Sequence, residues 1–191
     1  MIYVFLADGF EEIEAIAPID ILRRAGLDVI TAKVGDKEAL GYVGVSGSHG
    51  IEIMTNVCES EIELNNFANL EMIVLPGGGA GVERLYNSNE VKIFIEHCVD
   101  CSIPIGAICA APSIPARIGY LKGVRATAFP TFRHYLAENG AILEEKQKVV
   151  TDGIFTTAAA AGVSIEFGLE LVRVLKGPGK AKEIGEQILF Y

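Results

Sequence analysis

Residues 102–113 read Ser102-Ile103-Pro104-Ile105-Gly106-Ala107-Ile108-Cys109-Ala110-Ala111-Pro112-Ser113, and this stretch decides the fold. The run 102–108 is short, apolar and rich in isoleucine, the pattern of a parallel strand buried on both faces. Small residues then surround Cys109, and the pattern to about residue 120 predicts a helix. Strand, sharp turn on a nucleophile, then helix: this is a nucleophile elbow, in which a strained turn lifts the reactive side chain above the sheet. A cysteine there sits at a helix N-terminus, where amide N–H groups and the macrodipole favour the thiolate.

Outward from the elbow, strand and helix patterns alternate. Strands are predicted over 1–6, 28–34 and 71–75, a shorter pair over 42–46 and 50–55, and a short strand over 124–128. Helices are predicted over 11–25, 89–99, 131–139, 163–175 and 180–189. The first carries acids in its opening turn, Arg23 and Arg24 in its last, and Gly26 as its stop. Asp152-Gly153 between β-rich flanks over 148–157 predicts a hairpin. This alternation defines an α/β fold, a three-layer sandwich with a mainly parallel sheet and helices on both faces. With no linker, repeat or low-complexity segment, residues 1–191 read as a single domain. Ligands in such sheets bind beyond the carboxyl ends of the strands. Asp8-Gly9-Phe10, the glycine run 76–79 and Cys109 all follow strands, so all three are expected to converge there.

Composition narrows the function classes. At 191 residues and 50% hydrophobic content the chain can bury a sizeable core. No apolar run is long enough to cross a bilayer. The opening Met1-Ile2-Tyr3-Val4-Phe5-Leu6-Ala7-Asp8 has no basic region and meets an acid early, so it reads as a first strand rather than a signal peptide. A soluble cytoplasmic protein is expected. The net charge of −9 and the lack of a basic stretch disfavour nucleic acid and anionic membranes as partners. Cysteines at 58, 98, 101 and 109 in a chain this long read as reduced thiols, not a disulfide framework.

Several side chains are candidates for chemistry. Glu11 and Glu12 are explained as acids at a helix N-terminus. Glu14 is not, because Ile13, Ile16 and Ala17 flank it. A carboxyl facing the sheet edge beside a thiol would share one proton with it, and a neutral Glu14 could donate a hydrogen bond to a Cys109 thiolate. Pro76-Gly77-Gly78-Gly79-Ala80-Gly81-Val82 is not the dinucleotide pattern G-x-G-x-x-G. It is either a tight strand–helix turn or one side of an oxyanion hole built from the Gly78 and Ala110 amides. Cys98 and Cys101 form C-x-x-C beside His97, but no second ligand pair exists, so no metal site is expected. Those residues suit a helix end packed on the sheet, Cys58 reads as structural, and His134 reads as an exposed helix histidine.

Taken together, Asp8-Gly9-Phe10-Glu11-Glu12-Ile13-Glu14, Arg23-Arg24-Ala25-Gly26, Val74-Leu75-Pro76-Gly77-Gly78, Ala107-Ile108-Cys109-Ala110-Ala111-Pro112 and Gly162-Val163-Ser164-Ile165-Glu166-Phe167 resemble the ThiJ/PfpI superfamily. That superfamily shares its flavodoxin-like fold with class I glutamine amidotransferases. The nearest branch is that of the Parkinson-disease-associated protein deglycase and bacterial ThiJ-type proteins. The resemblance implies that Cys109 is the nucleophile, that Glu14 hydrogen-bonds it, and that Gly78 and Ala110 supply the oxyanion amides. It implies a homodimer, no cofactor, and a pocket reaching Gly77, His49, Phe129 and Arg24. There are departures. A His-Pro pair in the human-type branch is Phe129-Pro130 here, which removes a proton carrier. A Gly-Pro-Gly before the late helix is Ala160-Ala161-Gly162, and an arginine near the pocket of relatives aligns with His49.

This reading leaves three functions. The first is a thiol enzyme of the glyoxalase or protein deglycase type, acting on small reactive aldehydes or glycated protein. The second is non-enzymatic: an oxidative-stress sensor or redox-regulated chaperone that binds oxidised protein and uses oxidation of the same cysteine. The third is a peptidase or amidase, disfavoured because Phe129 cannot protonate a leaving amine.

Overall fold

A computed structural model describes residues 1–35, 43–62 and 67–191. The chain runs β1 (Ile2–Leu6), α1 (Glu12–Arg24), β2 (Val29–Lys33), β3 (Gly44–Ser46), β4 (Glu52–Met54), β5 (Val57–Cys58), β6 (Met72–Leu75), α2 (Gly79–Asn87), α3 (Asn89–Cys101), β7 (Ile105–Ile108), α4 (Ser113–Arg117), β8 (Arg125–Ala126), α5 (Arg133–Glu138), β9 (Ile142–Leu143), β10 (Val149–Asp152), β11 (Phe155–Ala158), α6 (Ser164–Lys176) and α7 (Pro178–Gln187). Short 3-10 turns cover Glu59–Glu61, Pro130–Phe132 and Ala161–Val163.

Among the described residues the main sheet has seven strands in the order β10-β11-β7-β6-β1-β2-β5. Every neighbouring pair is parallel except β10 and β11, which form the hairpin turned at Gly153. Side chains alternate between the two faces, and both faces are buried. Ile2, Val4, Leu6, Met72 and Val74 pack on Ile19 and Leu22 of α1 and on Phe167 and Leu171 of α6. Phe5, Ala7, Ile73 and Leu75 pack on Val82 and Leu85 of α2 and on Phe94 and Ile95 of α3. A strand buried on both sides has no polar face to show, which is why these runs read as continuously apolar.

The order of the strands positions the site. From β1 the chain moves to β2 on one side, then returns to lay β6 and β7 on the other. The crevice at such a reversal lies beyond the strand ends, where neighbouring connections depart in opposite directions. The connections after β1, β6 and β7 all open there.

Several predicted elements differ in extent. The helix expected from Cys109 to about 120 begins only at Ser113 and ends at Arg117. Residues 109–112 form a turn, and Pro115 and Gly119 keep the helix short. The helix α2 is not among the predicted elements, because its opening Gly79-Ala80-Gly81 reads as loop; it forms by packing Val82 and Leu85 into the core. The helix expected to stop at 99 runs on to Cys101 and is closed by Ser102 in the left-handed region, φ 56°. β5 and β9 are also absent from the sequence reading; both are two residues long, too short to carry a pattern. Of the strand expected over 42–46, Tyr42 lies outside the described residues. No described helix is long and apolar enough to cross a membrane.

Candidate active site

Cys109 is the first residue after β7, and its backbone is unusual. Its φ is 64°, a conformation that costs a residue with a Cβ on the order of 1–3 kcal/mol. Bonds on both sides hold it there. Its amide donates to the Ala158 carbonyl at the end of β11, 2.8 Å away. Its carbonyl accepts from the Phe129 amide, also at 2.8 Å. The elbow is thus clamped between a sheet neighbour and the segment that leads into α5, and Phe129 serves through its backbone.

Glu14 reaches the elbow from α1. The helix starts at Glu11, whose side chain caps it by accepting from the Glu14 amide at 2.8 Å. The Glu11 amide in turn donates to the Gly77 carbonyl at 3.0 Å, tying the start of α1 to the end of β6. Glu14, in the first turn of the helix, therefore points into the crevice. The residue is 1% exposed, and its Oε2 has no hydrogen-bond partner.

Two glycines make room for this. A Cβ on Gly77 would overlap Glu14 Oε2 and stand 2.7 Å from the Cys109 Cβ. A Cβ on Gly78 would overlap the Gly9 carbonyl and stand 2.6 Å from the Glu11 amide nitrogen. Gly78 also takes φ 93°, which a side chain rarely tolerates. The amides of Ala110 and Gly78 favour the charged form of the Cys109 thiol.

The electrostatics of the pair come from burial. Desolvation raises the Glu14 carboxyl to about 7, with Glu11 adding to it; the Cys109 thiol and the Gly77 and Ala161 amides favour its charge but do not offset burial. Burial, and then the Glu14 charge, likewise push the Cys109 thiol up, against the pull of the Ala110 and Gly78 amides. The start of the following helix contributes little to the state of this thiol. The helix begins four residues beyond the sulfur-bearing residue, and dipole effects fade within one turn. Two groups that cannot both be anionic share one proton and titrate as a pair.

The other candidates fall elsewhere. His49, on the turn between β3 and β4, contacts Glu12 with Nδ1 2.8 Å from Oε2. Glu12 is not a solvated helix-end acid. It is buried and accepts from the His49 amide at 2.6 Å and the Ile51 amide at 3.4 Å, bracing that turn. Burial works to raise its carboxyl, and the bonds from the His49 ring, the His49 amide, its own amide and Ile51 outweigh this, leaving it at about 2. The ring of His49 is pushed up by its hydrogen bond to Glu12. Glu11, Glu12 and His49 bring one ligand atom each within 4.8 Å of one another. Arg24 does not reach the site: it pairs with Asp20 at 2.6 Å, ten residues along α1 from Glu14, about 15 Å. His134 is exposed and contacts the Thr131 carbonyl at 2.9 Å. Ala158 and Ala161 act only through their backbones, and no side-chain pattern could have marked them.

A cysteine elbow at the switch point of a mainly parallel sheet, facing a buried glutamate, defines a class of flavodoxin-like α/β proteins. This chain belongs to the DJ-1/PfpI family, whose sequence pattern matches residues 1–174. Protein DJ-1 homolog B of Arabidopsis thaliana is 34% identical over 189 residues, covering 98% of this chain and 41% of that one. The chain thus spans less than half the length of that plant relative. Deglycase PYRAB04690 of Pyrococcus abyssi is 27% identical over 175 residues, covering 92% of this chain and 99% of that one. The solved structure of oxidized Toxoplasma gondii DJ-1 is 31% identical and superposes with a TM-score of 0.88, covering 98% of this chain and 97% of that one.

Proposed function

We propose that this protein is a cysteine-dependent stress protein that converts small reactive dicarbonyls, such as methylglyoxal, to hydroxy acids. One observation carries this reading: a buried carboxyl and the elbow cysteine close on the same spot beside Gly77, where an added Cβ would overlap Glu14 Oε2 and stand 2.7 Å from the Cys109 Cβ. A carboxyl poised at about 7 can both take and return a proton at neutral pH.

The steps balance without cofactor or oxidant. Glu14 takes the thiol proton as the Cys109 sulfur attacks the aldehyde carbon, and returns it to the new hydroxyl, giving a hemithioacetal. The Gly78 and Ala110 amides hold the oxyanion as it forms. Glu14 then removes the proton from the same carbon and delivers it to the neighbouring one, while the hydroxyl proton passes to the neighbouring oxygen through the enediol, leaving a lactoyl thioester. Water hydrolyses this to lactate and restores the thiol. The name of the Pyrococcus relative, a deglycase, fits chemistry on carbonyl adducts. In deuterium oxide the shuttled proton exchanges on Glu14, so lactate should carry deuterium at C2. Lactate that keeps the original aldehyde hydrogen at C2, with full turnover retained in Glu14→Gln, would contradict the proton shuttle.

A second reading uses the same cysteine as an oxidation sensor. Cys109 has no thiol beside it to trap a sulfenic acid, and a protonated Glu14 can hydrogen-bond a sulfinate. Peroxide that leaves Cys109 unmodified by mass spectrometry removes this reading.

The acting form is a homodimer in this proposal. Ile13 and Ile16 on α1 are 56% and 41% exposed, and Ile165 of the adjacent α6 is 41% exposed. Ile51 and Met54 of the β3–β4 hairpin are exposed as well, at 52% and 62%. A second copy of the same strip is the partner that would cover it.

A further inference from the structure

Two more cysteines stand at the end of α3, and the chemistry above uses neither. Cys98 is fully buried against the sheet, and its thiol is pushed up to about 12 by that burial and by Cys101. Cys101 is exposed, and its sulfur lies 3.9 Å from Nδ1 of His97. The His97 ring is fixed by stacking on Phe67, with ring centroids 4.0 Å apart and planes 21° apart. Cys98 and Cys101 are three residues apart on one helix, which makes their side chains neighbours. Residues at that spacing have Cα atoms within reach of a disulfide, and small movement of a helix end closes the gap between Cβ atoms. Cys101 is the last helical residue, where such movement costs least.

The geometry points to a second redox centre, a Cys98–Cys101 dithiol that closes to a disulfide under peroxide and acts apart from Cys109. The negative end of α3 opposes a thiolate at Cys101, so His97 supplies the base that removes its proton. The Cys101 sulfur attacks peroxide; the O–O bond breaks, giving a sulfenic acid and one water. The Cys98 sulfur then attacks that sulfenic sulfur, releasing a second water. Two thiols lose two electrons, and peroxide is reduced to two waters.

The pair lies at the amino-terminal edge of β7, and Cys109 follows the carboxyl-terminal edge. About 13 Å of strand separates the two edges. Cys58, on β5, is four strands from β7 and cannot serve either centre. Closure at 98 and 101 is reversible by thiols, because the buried Cys98 arrests oxidation of Cys101 at the disulfide.

The test treats folded Cys109→Ala protein with hydrogen peroxide, alkylates the remaining thiols, and analyses the tryptic peptide 93–117 by mass spectrometry. The expected result is loss of two hydrogens from that peptide, loss of both alkylation sites, and recovery of both after reduction. In Cys101→Ser, on the same background, Cys98 should stay reduced. In His97→Gln, thiol loss should slow. Three results would overturn the proposal: Cys101 passing to sulfinate while Cys98 stays reduced, a disulfide only between molecules, or Cys98 oxidising as readily without Cys101. An unchanged rate in His97→Gln would overturn the part given to the imidazole.

Discussion

Glu14 Oε2 occupies the space that any side chain at residue 77 would fill. The buried carboxyl and the side-chain-free turn are therefore one device. Gly77→Ala would push the carboxyl away from the sulfur or shift the Cys109 Cβ, which stands 2.7 Å from the added atom. We expect destabilisation of about 1–3 kcal/mol, typical of overpacking, together with loss of most turnover. Urea unfolding and lactate assays on the variant check both. A stable, fully active Gly77→Ala would show that the close approach is dispensable.

Glu14 also makes stability depend on pH. Its carboxyl keeps its proton up to about pH 7 in the folded protein, against an ordinary value of 4.5. Below 4.5 both the folded and unfolded chains hold the proton, and the contribution is intact. Between those values the folded state binds more protons, so stability falls as pH rises, by about 3 kcal/mol in all. Glu14→Gln should remove this slope, so its stability relative to wild type improves steadily through that window. A difference that stays constant with pH would contradict a raised carboxyl.

The same variant should lose turnover by about a hundredfold or more, the usual worth of a positioned acid–base group. Cys109 remains in place, so alkylation of the thiol should still occur. Turnover equal to wild type would remove Glu14 from the proton path.

The hydrogen bond to Glu12 raises the His49 ring above its ordinary titration range. Glu12→Gln should bring the His49 titration down toward its ordinary 6.5, read by NMR of the ring protons. An unchanged midpoint would mean that Glu12 is not the cause.

The apolar strip on α1 predicts a dimer in solution. Ile16→Asp should give monomers by sedimentation equilibrium, with the circular dichroism of the fold retained. A wild type that is monomeric at all concentrations would remove the homodimer.

Much of this was legible in the sequence because the sheet is buried on both faces. Apolar runs such as Met72-Ile73-Val74-Leu75 and Ile105-Gly106-Ala107-Ile108 have few other structural uses. Cys109 stood out because small residues surround it, and Glu14 because isoleucines flank it. The role of Glu12 was not legible, since its partners lie 36 to 39 residues away on a short hairpin. Nor was the distance between the thiol and the following helix. A helix N-terminus argues for a thiolate, but the helix begins only at Ser113 and the turn over 109–112 keeps it at a distance. Backbone groups at Ala158 and Ala161 leave no trace in side-chain identity.

The measurement that bears most directly on the central claim is lactate formation from methylglyoxal by wild type and Cys109→Ala, on folded, freshly reduced and metal-free protein. The account predicts lactate from wild type and none above background from the variant. Equal rates from the two proteins, or no lactate from wild type, would contradict thiol catalysis at this elbow.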